Sequence, residues 1–459
     1  MLCHNPVAMS LAGLDLPAVS RSLAQIADAD EELVETYFER LEVVELPAES
    51  RGPGVLARRE EGLAVRLQRD EQCWMATADS LSGEDFLAAL RQVARSWPQT
   101  AGSAPELRPP SWPEADADRE MLRFPAALQR ALRQRLVAFP LRARVRRHRR
   151  WLQLVGAQLI PEAQRESFYS LDLRTAWGRR GLLAPTLGEQ TVSQVADMLA
   201  LAFEARTAAP PRAGEAHLVL SPQAAAIFLH EAVAHALEAD TLAVGGRVEA
   251  AVGLALGGPG LSVLDDPSTA PEPVRRSSDD EGRRVERRWL LRDGVVEQPL
   301  ADAYWAQRSA ALLPGAGRRG GRFDRPTPRS THLVLLPGET PASDLLTGTG
   351  IWVASVSRGR LEAESGHCRL EAACGYTFDG GELVEPVGPF VFEGHLTALL
   401  ASVERVGDDT AETGAGWCAK GRQRLPVWAT TPSVRLSSVR VTPCLPLPAL
   451  AARRRGRHG

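Results

Sequence analysis

A proline-rich segment near the middle of the sequence, residues 207–214, constrains the fold of this chain more than any other feature. Pro210 and Pro211 have no backbone N–H donor, and Gly214 follows them. A helix or an inner strand does not run through such a segment, so we predict a domain boundary there. The length of 459 residues also suits two or three domains. We divide the chain into an N-terminal domain (1–210), a C-terminal domain (211–450) and a basic tail (451–459) expected to be disordered.

The pattern of apolar residues predicts an α+β fold. In the N-terminal domain, three- and four-residue apolar steps predict helices, and alternating residues predict a small antiparallel sheet. The predicted helices cover residues 17–40, 83–97 (capped by Ser82), 121–137 and 189–206, and the predicted strands cover residues 41–46, 54–59, 62–67, 73–77 and 142–160. In the C-terminal domain we expect an alanine-rich helix over residues 223–239, which Ser221 and Pro222 begin, followed by a mostly-β region.

Composition excludes several classes of protein. Of 54 Lys and Arg residues only Lys420 is lysine, and it is not in the Gly-Lys-Ser/Thr sequence of a phosphate-binding P-loop. The net charge of −3 argues against general nucleic-acid binding. Six cysteines without a Cys-x-x-Cys pair are interpreted as thiols. No apolar run approaches the roughly 20 residues of a membrane helix, and no signal-peptide pattern is present, so we expect a cytoplasmic protein without membrane association.

Two histidines flank one glutamate in the alanine-rich helix, where His230, Glu231 and His235 read His-Glu-x-x-x-His. In a regular α-helix, residues five apart point about 140° away from each other, so both imidazoles could not bind one metal ion. A single π-type turn would bring them onto one face, and small residues such as Ala232 and Ala234 leave room for it. Two interpretations stay open: a metal-binding helix with a π turn, or a buried helix whose histidines are only hydrogen-bonded.

A second region of interest is the glycine-rich segment 414–427, which holds Cys418 close to the only lysine, Lys420. A nearby ammonium group lowers the pKa of a thiol. The retention of lysine here, where arginine is used elsewhere, indicates a need for a compact charge. Upstream, Glu238 and Asp240 either support an imidazole N–H group or are solvated carboxylates at a helix end.

At these two places the sequence resembles the TldD/PmbA family of metallopeptidases. The His-Glu-x-x-x-His motif is that family's, and segment 414–427 is similar to its Cys-Gly-Lys-x-Gly-Gln-x-x-Pro-Val segment, although Ala234 and Ala419 replace glycines usual in the family. The resemblance is strong over residues 215–441 and weaker before the boundary. It implies that His230, His235 and Cys418 hold about one Zn²⁺ per chain and that Glu231 is the general base. Three roles stay open for Lys420: it orients the Cys418 thiolate, it holds the substrate, or it is structural.

The resemblance also implies a substrate and a partner. Small or unfolded peptides would bind as an added extended strand, for which strand-like segments such as residues 351–356 are suited. The site would be enclosed in a dimer, either of two identical chains or with a related subunit.

Two alternatives differ in class from a peptidase. One is a catalytically silent scaffold subunit of a TldD/PmbA-type heterodimer, although retention of the whole metal motif favours an active subunit. The other is a nucleic-acid-binding module, suggested by six arginines around His148, which are Arg142, Arg144, Arg146, Arg147, Arg149 and Arg150. The first three of them would share one face of the predicted strand. The aromatic residues that stack on bases are scarce there, which makes nucleic acid the weaker partner.

Overall fold

The computed structural model describes residues 13–25, 33–47, 55–69, 72–94, 105–107, 112, 117–156, 163–246, 248 and 250–444. The predicted tail, residues 451–459, lies outside them. Helices and sheets are both present, and the region after the predicted boundary is rich in strands. The α+β prediction is therefore confirmed.

A six-stranded antiparallel sheet dominates the first part of the chain. Its order is β3-β2-β1-β4-β5-β6, and its strands are β1 (Leu33–Leu46), β2 (Leu56–Arg69), β3 (Gln72–Ala78), β4 (Arg142–Gly156), β5 (Gln164–Thr175) and β6 (Gly178–Ala184). Two apolar clusters attach helices to the same face of this sheet. These helices are α1 (Leu16–Ala24), α2 (Gly83–Val93), α3 (Arg119–Gln134) and α4 (Glu189–Glu204).

Two local predictions in this sheet are wrong. The helix predicted over residues 17–40 ends at Ala24, and β1 already starts at Leu33. The strands predicted over residues 54–59 and 62–67 are one strand, β2, because Glu61 in the supposed turn stays extended and pairs with Arg40 of β1 at 3.0 Å. In both cases charged side chains, buried in β1 and half-buried in β2, conceal the alternation of apolar residues on which the prediction depends.

The second face of the sheet carries buried charges that meet the C-terminal part of the chain. Glu35 Oε1 accepts from Arg66 Nε at 2.8 Å and from Arg319 Nη2 at 2.7 Å. Arg66 also pairs with Glu281 at 2.8 Å, and Arg150 pairs with Glu39 at 2.8 Å. Buried charges are tolerated only when they are paired, so this network fixes how the first sheet sits on the rest of the molecule.

We expect Glu35→Ala to lower the free energy of unfolding by about 3–5 kcal/mol, because it removes a carboxylate shared by two buried guanidinium groups. Glu35 is only 1% exposed. Urea denaturation measures the change. As a control, Glu297→Ala removes the partner of Arg292 from an exposed pair and should change stability little. Equal losses in both variants would contradict a special role for the buried network.

Two further sheets form the C-terminal part. One contains β7 (Gly214–Leu220), β14 (Thr349–Glu362), β15 (His367–Asp379), β16 (Glu382–Val387), β17 (Phe390–His395), β18 (Val403–Val406) and β21 (Val434–Pro443), with β14 also pairing with β15 so that the sheet closes on itself. The other has the order β10-β9-β8-β13-β20-β19 and contains β8 (Val263–Asp265), β9 (Arg288–Arg292), β10 (Val295–Val296), β13 (His332–Leu335), β19 (Ala411–Lys420) and β20 (Gln423–Thr431). A short pair, β11 (Gly317–Arg318) and β12 (Thr327–Pro328), stands apart.

One helix, α5 (Pro222–Leu229), lies in the apolar core shared by the two larger sheets. The other helices of this part are short: α6 (Ala239–Val244), α7 (Ala303–Ala306) and α8 (Leu396–Ala401). The predicted boundary lies between α4, which packs on the first sheet, and β7, which belongs to a different sheet. The division into separate domains stays a prediction.

Among the described residues, no helix is long and apolar enough to cross a membrane. The described cysteines, which are Cys73, Cys368, Cys374, Cys418 and Cys444, are all free thiols. The prediction of thiols is thus confirmed for these residues, and Cys3 lies outside the described part of the chain.

Candidate metal centre

The helix that carries the two histidines changes its geometry at His230. Ser221 caps α5 by accepting a hydrogen bond from the Ala224 N–H at 3.3 Å, and Pro222 occupies its first turn, as predicted. From His230 to Ala234 the chain forms a π turn, in which the His235 N–H bonds to the His230 carbonyl oxygen. A short 3₁₀ segment, His235–Leu237, follows. The π turn that the metal-binding interpretation requires is present, and fully buried alanines surround it.

The π turn brings both imidazoles next to a thiol from a distant strand. The ring centroids of His230 and His235 are 4.5 Å apart, and Cys418 Sγ of β19 lies 3.4 Å from His235 Nε2. One ligand atom from each of the three residues lies within 4.8 Å of the others. Nδ1 of His230 is buried without a hydrogen-bond partner among the described residues. The three predicted ligands therefore form one cluster of donor atoms.

A buried carboxylate and the only lysine of the chain support His235 at Nδ1, the ring nitrogen that does not face Cys418. His235 Nδ1 lies 2.9 Å from Glu238 Oε2, which also accepts from Lys420 Nζ at 2.6 Å. Lys420 donates further to Asp240 at 2.6 Å. Arg329, which the sequence analysis missed, lies 3.8 Å from Glu238. Nothing in the sequence distinguishes this arginine from the many others.

These contacts shift the pKa values of Glu238 and His235. Burial acts to raise the pKa of Glu238, but the charges of His235 and Lys420 outweigh it and hold that pKa at about 2. Burial acts to lower the pKa of His235, but Glu238 and the Cys418 thiol raise it well above its ordinary value. The Glu238 carboxylate thus stays ionised and keeps the His235 Nε2 atom directed toward Cys418.

Glu231 lies beside the donor cluster, with its carboxylate held by β14. Its Oε2 accepts a hydrogen bond from the Leu361 N–H at 3.1 Å. A Cβ on Gly359 would lie 2.3 Å from Glu231 Cγ, so only glycine fits at this position. Burial raises the pKa of Glu231, while burial, followed by the charge of His235, lowers the pKa of His230 to about 3. Gly359 was not predicted from the sequence, although a glycine inside a strand can signal a close approach.

A cleft of about 1010 Å³ opens onto these side chains. It is lined by His230, Glu231, His235 and Cys418, together with residues 355–361 of β14 and residues of β6 and β19. Strand β7 pairs with β14 only over residues 351–353, and β19 is the last strand of its sheet. Two strand edges therefore border the cleft within the described part of the chain.

Residues 213–443, half of the chain, match the family model of the PmbA/TldA metallopeptidase C-terminal domain. The chain belongs to the PmbA/TldD family. Over 237 residues it is 30% identical to a metalloprotease from Methanothermobacter thermautotrophicus, covering 51% of this chain and 52% of that protein. It is 24% identical over 234 residues to a zinc metalloprotease TldD homolog from Saccharolobus solfataricus, covering 50% of this chain and 52% of the homolog. The chain thus spans about half the length of the curated relatives that it matches.

The crystal structure of TldE from Thermococcus kodakarensis superposes with a TM-score of 0.70 at 17% identity, covering 93% of this chain and 99% of that one. This likeness establishes a common PmbA/TldD fold over nearly the whole chain. The two alanines that replace glycines usual in the family lie at positions whose backbone conformation accepts a side chain. Ala234 has an ordinary helical φ of −64°, and Ala419 is not among the described residues with positive φ.

Proposed function

We propose that the chain is a zinc-dependent peptidase that hydrolyses peptide bonds in small or unfolded peptides. The observation that carries this proposal is the convergence of His230, His235 and Cys418 within 4.8 Å, next to the half-buried carboxylate of Glu231. Relatives named metalloproteases support it. A metallopeptidase-type family is established by the family match, and the zinc, the reaction and the residue roles belong to this proposal.

The donor set fits Zn²⁺. Two imidazoles and one thiolate are ligands that zinc prefers, and three protein ligands leave a fourth position open. Nδ1 of His230 has no hydrogen-bond partner among the described residues, which is consistent with a side chain that binds a metal ion rather than a protein group. When bound, Zn²⁺ lowers the pKa of coordinated water and polarises a carbonyl group. The chain's own residues supply orientation and proton transfer.

Glu231 is suited to be the general base. The Leu361 N–H holds one carboxylate oxygen, which leaves the other for the attacking water. Burial raises the Glu231 pKa toward the operating range of a base that accepts and then returns a proton. In this role Glu231 takes the proton from the water and delivers it to the leaving amine.

A peptide would bind as an extended strand along the cleft. The Leu361 N–H points at Glu231 and so faces away from β15, and Gly359, two residues earlier in the same strand, presents its backbone on the same edge. Pairing through the peptide backbone tolerates many side chains. An unfolded segment satisfies this geometry, whereas a folded domain does not enter the cleft.

We infer that the chain assembles with a second subunit of the same fold, either identical or related. The fold shared with a chain named TldE supports a related subunit. Light scattering of the purified chain, alone and mixed with a TldE-like chain, tests this. A monomer under both conditions would contradict it.

The nucleic-acid alternative loses support. Arg144 and Arg146 both pair with Glu45, at 3.1 Å and 2.6 Å. Arg147 and Arg150 are buried in ion pairs with Asp118 and Glu39. Arg147 and Arg150 thus lie in the interior, and Arg144 and Arg146 are already paired with a carboxylate, which leaves less free charge for phosphate groups.

Two measurements on the purified chain test the peptidase proposal. Elemental analysis should find about one zinc ion per chain, and unstructured peptides should be cleaved in a reaction that a chelator stops and added Zn²⁺ restores. Full zinc content without cleavage of any peptide in a varied library would leave a structural metal. That result would favour the silent scaffold subunit.

Replacing Lys420 with methionine should weaken Zn²⁺ binding by roughly 10–100-fold, because Glu238 would lose the cation that holds it against His235. Competition with a chromogenic chelator measures the affinity without any assay of activity. Arg422→Met removes a cation from the same hairpin, where Arg422 is exposed, and should leave affinity unchanged. Unaltered affinity in Lys420→Met would show that Lys420 does not support the centre.

A further inference from the structure

Positive charge is concentrated in the cleft. Among the described residues that line it, Glu231 is the only carboxylate. Lys420 contributes a cation that Glu238 and Asp240 neutralise. The cleft is basic although the whole chain has a net charge of −3. Its remaining cations form a set that we call the arginine rim: Arg179 and Arg180 of β6, Arg358 and Arg360 of β14, and Arg424 of β20.

The positive charges of two members of the arginine rim are partly neutralised by nearby carboxylates. Arg179 donates to Asp172 at 2.6 Å, but the same carboxylate also accepts from Arg174 at 3.1 Å. Arg360 lies 3.9 Å from Glu362, and both side chains are well exposed. The exposed Arg360–Glu362 pair is weak and exchanges readily for another anion, whereas Arg179 is held by both oxygens of the buried Asp172 carboxylate.

The other three members, Arg180, Arg358 and Arg424, pair with no carboxylate in the described part of the chain. Nε of Arg180 is buried and has no hydrogen-bond partner there. Arg424 lies over the Trp417 ring at 4.6 Å from its centroid. Burial lowers the pKa of Arg424, and two neighbouring arginines lower it further. An anion placed between such guanidinium groups would relieve their mutual repulsion.

We propose that the arginine rim makes this cleft selective for acidic peptides, whose Asp and Glu side chains it binds while the backbone pairs with the strand edges. The inference rests on the proposed function, since it names the substrate class of the same cleft. Arg358 and Arg360 flank Gly359 in β14, and their side chains project from the strand face opposite to the one that contacts Glu231, where they line the outer part of the cleft. Arg179, Arg180 and Arg424 hold acidic side chains on the opposite wall.

An acidic peptide fits the cleft better than a single-stranded nucleic acid does. Nucleic-acid grooves combine cations with several aromatic rings on which bases stack. Trp417 is the only aromatic residue among the described lining residues, and Arg424 already covers it. The free strand edges, by contrast, match a peptide backbone and offer nothing specific to a sugar-phosphate chain.

Binding can be measured apart from cleavage with zinc-loaded, full-length Glu231→Gln protein. The probes are fluorescent, unstructured peptides with blocked ends, identical except that the varied positions carry Glu, Gln or Lys. Blocked ends ensure that only side chains supply carboxylates. We expect the Glu peptide to bind roughly tenfold more tightly than the Gln peptide, from several exposed charge pairs together. This preference should shrink as salt shortens the screening length from about 10 Å at 0.1 M to about 3 Å at 1 M.

Variants of the arginine rim assign the preference to its residues. Arg358→Gln and Arg424→Gln, each in the Glu231→Gln background, should reduce it roughly two- to fivefold. Arg358→Glu should shift it toward the Lys peptide. Arg130→Gln removes an exposed arginine of α3, away from the cleft, and should change nothing.

Equal affinity for the Glu and Lys peptides would overturn the proposal, and so would an oligonucleotide that binds at least as tightly as the Glu peptide. A loss in Arg130→Gln equal to that in Arg358→Gln would also overturn it. Failure of the peptidase proposal is a separate result. If wild-type protein cleaves no peptide but the acidic preference in binding persists, only the catalytic proposal fails; if it cleaves all peptides alike, only the acidic preference fails.

Discussion

Replacing Glu231 with glutamine should reduce peptide cleavage by roughly 10²–10⁴-fold, the range expected when a general base is lost. Glutamine keeps the size of the side chain, and its amide oxygen can still accept the Leu361 N–H that holds Glu231 at 3.1 Å. The fold and the metal ligands should therefore remain. Only the proton-accepting carboxylate disappears. Initial rates with an unstructured peptide, alongside zinc analysis of the same sample, measure the two effects separately.

The matched control is Glu382→Gln, an identical change at an exposed position of β16. It should retain full activity and full zinc content. If Glu231→Gln kept more than half of the wild-type rate, Glu231 would not be the base. If it lost zinc along with activity, its role would be structural.

Replacing Cys418 with alanine should remove zinc from the protein after dialysis, with affinity lowered by more than about 100-fold. Loss of an outer partner of a ligand already costs about 10–100-fold, and loss of a ligand should cost more. Cys418 is 3% exposed and its Sγ lies 3.4 Å from His235 Nε2. Zinc content by elemental analysis, before and after dialysis, is the measurement.

Cys368→Ala is the control for the loss of a buried thiol. Cys368 lies in β15 and is fully buried in the apolar core, so its removal affects packing without removing a donor atom of the cluster. This variant should keep its zinc. A Cys418→Ala protein that retained about one zinc ion per chain would exclude Cys418 from the ligand set.

The sequence was most informative where one local rule decides the structure. The five-residue spacing of His230 and His235 indicated that a shared metal site would need a π turn, because both rings cannot share a face in a regular α-helix. The caps at Ser82 and Ser221 were also predicted, since a hydroxyl before an apolar-periodic run satisfies the first free N–H groups of a helix. Both serines accept hydrogen bonds from the third residue after them.

Prediction failed where a distant partner decides the structure. Residues 33–40 were included in a helix predicted from three- and four-residue apolar steps, and Glu35 and Glu39 interrupt the apolar alternation that would have indicated a strand. Glu35 is buried because Arg319, 284 residues away, donates to it. Its partner cannot be identified by local periodicity. The arginine rim was missed for a related reason, since arginine is this chain's general basic residue and its sequence alone does not separate cleft positions from surface positions.

The π turn has a consequence for the phase of the chain beyond the two histidines. Deleting one residue between His230 and His235 would give His-Glu-x-x-His, whose histidines an ordinary α-helix already aligns. A π turn absorbs one inserted residue locally, so His235 and the residues after it would keep nearly the same direction and axial position after such a deletion. We therefore expect Glu238 to keep its contacts with His235 and Lys420. The extra residue is accommodated within the turn itself, and a single deletion there should leave both the ligands and the support of His235 aligned.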